Sequence, residues 1–487
     1  MIALSGWSGR SDRLPGQPSA RALSLGLVAG GVYFVGTIYW VGGVVAEFGG
    51  LVTPLALTTM LLLAIYLAFF PAVSAVIISK AITHLGTRAL LLAPGPWVAT
   101  EFLRGELFGG FPWVPLGNSQ IEVLSVLQLA SVFGVYGISA LLVFISALIA
   151  LAILGNSKER IISITIAIVL VGSIVTWGGL RISGESLVRE GKSLRVGLVQ
   201  GNISQEDKWN PQEGNRILTT HTRLTREAVA AGADLVIWPE SSVPFMFEED
   251  VERRKIINGL VQETDTPILL GSNQLERGPP ARLYNAAFFL TPGKKRATVY
   301  RKIHLVPFGE YIPFRDWLFF VSPLVDGVAE FAPGISTTML PLGNHLISTA
   351  ICYEVVYPGL SQEAVRNGSE LLTNITNDAW YGHTSAPFQH FDLATMRAVE
   401  QGRYLVRAAN TGISGIVDPY GRILKESEIF TETVLVGEVR LLTKRTLYSI
   451  FGDVVAYLSI ALTIIMLLVV SKIRMLWRLG LSVRRVD

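Results

Sequence analysis

The chain has 487 residues, half of them hydrophobic and only 16% charged, where a typical soluble domain carries about 25%. That composition points to a membrane protein with room for two or three domains. A net charge of +3 is too small for a nucleic-acid binder, and one cysteine excludes a disulfide framework or a Cys-based metal site. Cytosolic proteins carry several thiols without harm, so a lone cysteine fits an oxidising compartment.

In chain order, Ala22 to Ala46 and Leu51 to Ser79 are the first two uncharged apolar runs. Val123 to Gly155, Ile161 to Leu180 and Val454 to Val470 follow. A spanning helix needs about 20 mostly apolar residues, and these five runs meet or approach that. Ala89 to Gly110 is weaker, with Pro94, Pro96, Glu101 and Arg104, but reads as a further span whose Glu101 and Arg104 pair on one helix face. Arginines and lysines cluster before the first of these six spans and after the second, fourth and sixth. The positive-inside rule therefore puts both termini in the cytoplasm and the block between the fifth and sixth spans outside. No cleavable secretory signal is evident at the start.

The outer block alternates strand-like and helix-like stretches, the pattern of an α/β domain. "LRVGLVQGNI", "ADLVIWPESS", "TPILLGSN", "LYNAAFFLTPG", "HLISTAI" and "SELLTNITND" read as strands. "RILTTHTRLTREAVAAG" and "QHFDLATMRAVEQGRYLVRAA" read as helices. The expected organisation is an N-terminal transmembrane bundle of about five helices over 1–184, an extracytoplasmic α/β domain over 185–445, and a C-terminal transmembrane helix with a cytoplasmic basic tail over 446–487.

Three chemically able residues stand at the ends of apolar strands, where α/β sheets gather reactive groups. Glu240 closes "LVIWPE", Lys302 lies in "VYRKIHLVPFGEY", and Cys352 closes "LISTAIC". A thiolate attacks, a nearby ammonium favours it, and a carboxylate can take the proton as general base. Lys302 and the backbone N–H of Tyr353 could then stabilise an oxyanion. Taken singly, each has an ordinary reading as buried thiol, turn carboxylate or surface lysine, and spacing alone cannot join them.

The stretches "WPESSVPF", "YRKIHLVPFGEYIPF", "ICYEVVYP" and "NITNDAWYG" together resemble the nitrilase (carbon-nitrogen hydrolase) superfamily, and in particular its membrane-bound branch, the apolipoprotein N-acyltransferases. "VQGNISQEDKWNP" and "RAANTGISGIVDPYGRI" fit the same family, so the resemblance covers roughly Leu194 to Val439. It implies an α-helical transmembrane bundle joined to a nitrilase-like αββα four-layer sandwich, with a Glu-Lys-Cys triad at Glu240, Lys302 and Cys352. Glu310 is then expected to orient Lys302 or the substrate amine, and Tyr353 and Glu354 match supporting positions. Trp209 in the "KW" pair and Asn285 in "YNA" match positions near the substrate.

The implied reaction moves an acyl chain from a membrane phospholipid, through a Cys352 thioester, to the N-terminal amine of an S-diacylglyceryl-cysteine apolipoprotein. That places the catalytic domain on the periplasmic face of the bacterial inner membrane, and no cofactor is expected. Trp317, Phe319 and Phe320 in "YIPFRDWLFFVSPLVDG" suit an interfacial lid, with Phe245 and Met246 at the same lip. His383 and His390 lack metal-ligand spacing and read as structural. Family members usually carry two more N-terminal helices than the polar opening of this chain suggests. The rival readings are a membrane-tethered amidase or nitrilase that hydrolyses a C–N bond, and a non-enzymatic receptor on the same fold.

Overall fold

The computed structural model describes residues 17–208, 210, 212–312 and 330–478. Two compact units emerge: Met1–Gly43 with Val52–Ser183 and Phe451–Asp487, and Gly184–Ile450 with the short segment Val44–Leu51.

The first unit is helical. Among the described residues, Ser19–Ile38, Thr53–Leu85, Ala130–Leu154, Ser157–Gly184 and Val454–Leu476 are long and apolar enough to cross a membrane. The chain breaks at Tyr39, so the first expected run becomes Gln17–Ile38 and a separate short helix, Trp40–Glu47. Gly26 and Gly30, four residues apart, press against helix Thr53–Leu85: a Cβ on Gly26 would lie 2.4 Å from Ala72 Cα, and one on Gly30 would lie 2.9 Å from Ala68 Cα. Small residues at this spacing let two helix backbones approach where lipid offers no hydrophobic drive.

Ala89 to Gly110 departs from expectation. It forms a 3-10 helix, Thr87–Leu92, and then a 13-residue α-helix, Pro94–Glu106. Pro94 and Pro96 start that helix because the N–H groups of a first turn have no intrahelical partner to lose. At 1.5 Å per residue it spans about 20 Å, too short to cross alone; with the 3-10 turn, if collinear, the pair reaches roughly 30 Å. The described hydrogen bonds of Glu101 and Arg104 go to the following loop instead of to each other. Arg104 Nη1 donates to the carbonyls of Phe111 (3.0 Å) and Trp113 (2.7 Å), and Glu101 Oε1 accepts from Leu116 N (2.7 Å). Irregular backbone among apolar helices leaves carbonyls and N–H groups to satisfy, and these two charges do so.

The second unit holds two six-stranded sheets. In chain order its strands are β1 (Lys192–Gln200), β2 (Leu235–Ile237), β3 (Ile268–Glu276), β4 (Arg282–Leu290), β5 (Thr298–Arg301), β6 (Leu340–Leu342), β7 (His345–Ile351), β8 (Leu371–Thr376), β9 (Leu405–Ala409), β10 (Gly415–Val417), β11 (Ile423–Glu426) and β12 (Thr433–Leu441). The sheet orders are β12-β1-β2-β3-β4-β5 and β11-β10-β9-β8-β7-β6. In each, a parallel triple (β1-β2-β3 or β7-β8-β9) is flanked by antiparallel strands. The crossovers are helices Gly214–Ala230 and Val251–Thr264 for the first sheet, and Pro358–Arg366 and Ala386–Gln401 for the second. Each helix pair covers the outer face of its sheet and the sheets pack on each other, which gives the expected αββα sandwich. β8 and β9 are buried along their whole lengths, as strands covered on both faces must be.

"QHFDLATMRAVEQGRYLVRAA", expected to be one helix, divides in two. The helix stops at Gln401, Gly402 caps it in the left-handed region (φ 61°), and the remainder becomes β9. Segment Val44–Leu51 belongs to this unit through Phe48, whose ring meets Trp380 edge-on at 4.6 Å.

Candidate active site

The three strand-end residues follow the carboxyl ends of β2, β5 and β7. Glu240 follows β2 after Trp238 and Pro239. Gly271 on neighbouring β3 admits this turn: a Cβ there would lie 2.7 Å from Glu240 Cα and 2.5 Å from Ser241 N. Lys302 follows β5, its N–H bonded to the Asn285 carbonyl of β4 at 2.9 Å. Cys352 follows β7 with φ at 52° and begins a short 3-10 helix, Cys352–Val356. That left-handed backbone costs a non-glycine residue about 1–2 kcal/mol. Such strain persists where the surroundings impose it, often at reactive sites.

Direct hydrogen bonds join the carboxylates and the ammonium. Asn285 Nδ2 donates to Glu240 Oε1 and to Glu310 Oε1, each at 2.8 Å. Lys302 Nζ donates to Glu310 Oε1 at 2.9 Å and lies 3.6 Å from Glu240 Oε1. Glu240 Oε2 accepts from Asn377 N at 3.0 Å, and Glu310 Oε2 from Val306 N at 2.8 Å. Glu310 therefore aims Lys302. All four side chains are buried, and Lys302 is only 1% exposed.

Electrostatics set the resting protonation. Burial alone would push Lys302 down, but Glu310 and Glu240 beside it hold the ammonium well above the usual lysine range. Burial pushes the Cys352 thiol up and Glu240 adds to this, while Lys302 pulls the other way and does not prevail. The ammonium favours the thiolate as expected, but desolvation outweighs it and leaves the thiol protonated. Glu240 is the nearby carboxylate whose charge acts on the thiol.

Glu354 acts on backbone. Its Oε1 accepts from Tyr300 Oη (2.8 Å), Ile303 N (2.6 Å) and His304 N (3.2 Å), and its Oε2 from Tyr300 Oη (2.9 Å) and Ile351 N (2.7 Å). Ile303 follows Lys302 and Ile351 precedes Cys352, so one buried carboxylate braces both chain positions. Burial raises its pKa to about 7. Tyr353 is buried, its ring edge-on to Tyr357 at 5.4 Å.

Two features escape a reading of the sequence. Lys208 in "QEDK" reads as solvated surface, yet it is 2% exposed and its Nζ donates to the Glu240 carbonyl at 3.0 Å. Burial pushes it down to about 8, with Glu240 and Cys352 opposing. Behind Cys352 lies a second buried cluster of Asp378, His390 and Arg407. The signal for it was an Asn-Asp pair directly after the apolar strand "LLTNIT", at the same sheet end as the thiol.

Trp209 and Trp317, with Phe319 and Phe320, lie outside the described residues. Phe245 is half-buried against the core beneath helix Val251–Thr264, with the Arg253 guanidinium 5.1 Å over its ring. His383 stacks on Phe430 at 4.1 Å.

A family model described as carbon-nitrogen hydrolase matches residues 195–447, and one described as apolipoprotein N-acyltransferase N-terminal domain matches 7–148. A protein of Geobacter metallireducens named apolipoprotein N-acyltransferase is 38% identical over 448 residues, 91% of this chain and 85% of that protein. One of the same name from Methylococcus capsulatus is 34% identical over 449 residues, 90% of this chain and 86% of that protein. A solved amidase from Nesterenkonia sp. is 21% identical, covering 56% of this chain and 98% of its own, with a TM-score of 0.41.

Proposed function

The chain belongs to the apolipoprotein N-acyltransferases, and from that membership we infer that it matures lipoproteins by moving one acyl chain in two steps. Cys352 gives its proton to Glu240 as sulfur attacks the ester carbonyl of a membrane phospholipid. The C–O bond breaks, Glu240 returns the proton to the leaving alkoxide, and a lysophospholipid departs. The α-amine of an S-diacylglyceryl cysteine then attacks the thioester. Glu240 accepts the amine proton, the C–S bond breaks, and the proton returns to sulfur. Lys302 stabilises the oxyanion of both tetrahedral intermediates, Glu310 holds it in place, and Asn285 bridges the two carboxylates. Trp209, Trp317, Phe245 and Asn285 are proposed to face substrate.

The observation that carries this reading is the buried set of Glu240, Asn285, Glu310 and Lys302, electrostatically coupled to a thiol held at φ 52°. Ping-pong kinetics follow from a covalent intermediate. Purified protein given radiolabelled phospholipid should form a hydroxylamine-sensitive acyl-protein, and a diacylglyceryl peptide should then discharge it into N-acylated peptide. Release of free fatty acid with no acylated peptide would mean hydrolysis, the amidase-like chemistry.

We also propose that residues 185–445 form the catalytic domain on the outer face of the bacterial inner membrane, between the amino-terminal helices and the carboxy-terminal span of 446–487. The Lys and Arg flanks of the apolar runs support this side, with Thr87–Leu92 and Pro94–Glu106 together serving as one span. The single native cysteine makes the test clean. Lys294→Cys in a Cys352→Ala background places a thiol at an exposed position. An impermeant maleimide should label it in intact spheroplasts, and labelling only after permeabilisation would reverse the orientation.

A further inference from the structure

We propose that His390 is a positioning residue for the nucleophile: its Nε2–H grips the Cys352 carbonyl and holds the thiol in its left-handed backbone conformation. This rests on the assignment of Cys352 as nucleophile but not on the identity of the acyl donor or acceptor.

His390 sits in helix Ala386–Gln401, fully buried, with Nε2 3.2 Å from the Cys352 carbonyl oxygen. A carbonyl only accepts, so Nε2 must carry the hydrogen. Nδ1 then offers its lone pair to Arg407 Nη2 at 2.9 Å. The same Nη2 donates to Asp378 Oδ2 at 2.7 Å, and Asp378 Oδ1 lies 3.0 Å from Nδ1. Arg407 thus fixes the tautomer and the ring plane together, as the partner of one imidazole nitrogen does in general. Burial and then Arg407 lower the His390 pKa, with Asp378 and the Cys352 carbonyl opposing.

Arg407 also donates to Asn374 Oδ1, and Asn374 Nδ2 lies 3.4 Å from the same Cys352 carbonyl. Asp378 is packed too: a Cβ on Gly412 would lie 2.3 Å from its Oδ2. The residue before it, Asn377, donates its N–H to Glu240 Oε2 at 3.0 Å. One two-residue turn after β8 therefore sets the base through its backbone and the nucleophile through Asp378, Arg407 and His390. A strained φ needs such over-determination to persist.

The test compares His390→Gln with His390→Met. The two side chains are similar in length and volume, but only Gln keeps an N–H donor. Two rates are read on the monodisperse detergent-solubilised fraction: alkylation of Cys352 by iodoacetamide, which needs no acyl substrate, and thioester formation. The Met variant should lose about 10- to 100-fold in both, the scale of an ångström-sized misplacement, with the donor KM within about 3-fold of wild type. The Gln variant should stay within about 5-fold in both rates. Equal rates for Gln and Met, whether both high or both low, overturn the proposal. If the Met chain leaves no folded fraction, the Gln chain decides: alkylation within about 5-fold of wild type supports the donor role, and a larger loss overturns it. Failure of acyl transfer alone, with alkylation behaving as stated, would count against the acyltransferase assignment and leave the positioning role standing.

Discussion

Cys352→Ala should abolish thioester formation and peptide acylation while leaving the fold intact. Loss of an attacking nucleophile removes the covalent route, so turnover should fall by at least about 10³-fold and reach background. The fold should survive for two reasons. Alanine meets the same left-handed backbone at φ 52° that cysteine already tolerates, so little new strain enters. The substitution deletes one sulfur from a buried site, a loss on the order of 1 kcal/mol. The measurements are trapping of labelled acyl-protein, gel-filtration profile and thermal midpoint in detergent. A variant that still acylates peptide would mean that another group attacks.

Lys302→Met should cut both half-reactions by about 10²- to 10³-fold, the usual cost of one oxyanion-stabilising donor. It should also destabilise the protein more than Cys352→Ala does. Lys302 is 2.9 Å from Glu310 and 3.6 Å from Glu240, all three buried. Removing one partner of a buried ion pair leaves an uncompensated charge and costs about 3–5 kcal/mol. Without the cation, two carboxylates share only the Asn285 amide, and like charges this close do not both ionise. One should take up a proton, so the acid limb of the residual pH–rate profile should move to higher pH. Lys302→Arg should not rescue, because a planar fork needs room that a 1% exposed site lacks. Stopped-flow acylation, thermal denaturation and a pH–rate series check this; near wild-type acylation by the Met variant would remove Lys302 from the oxyanion role.

Much of the fold was legible because it is encoded locally. Apolar runs of helix length announce spans, and β-branched runs such as "LRVGLVQ" announce strands. Where local signals mislead, a nearby residue overrides them. Pro94 and Pro96 turn an apparent span into a 3-10 turn and a short helix, and Gly402 cuts one helical pattern into a helix and β9. In "ITND" the sequence offered only polar residues after a strand, with no hint that Asp378 would face a histidine twelve residues on.

The sequence by itself determined the class of protein, the alternation that makes an α/β domain, and the presence of a carboxylate, an ammonium and a thiol at strand ends. These depend on the types and spacing of neighbouring residues, which a chain carries whether folded or not. The tertiary structure alone decided what those groups touch. Asn377 meets Glu240 across 137 residues, and Ile303 meets Glu354 across 51. Such contacts follow from sheet order and strand register, which no window of a few residues contains. The thiol's protonation is also a tertiary property, because burial, the largest influence on Cys352, exists only once the sheets have closed over it.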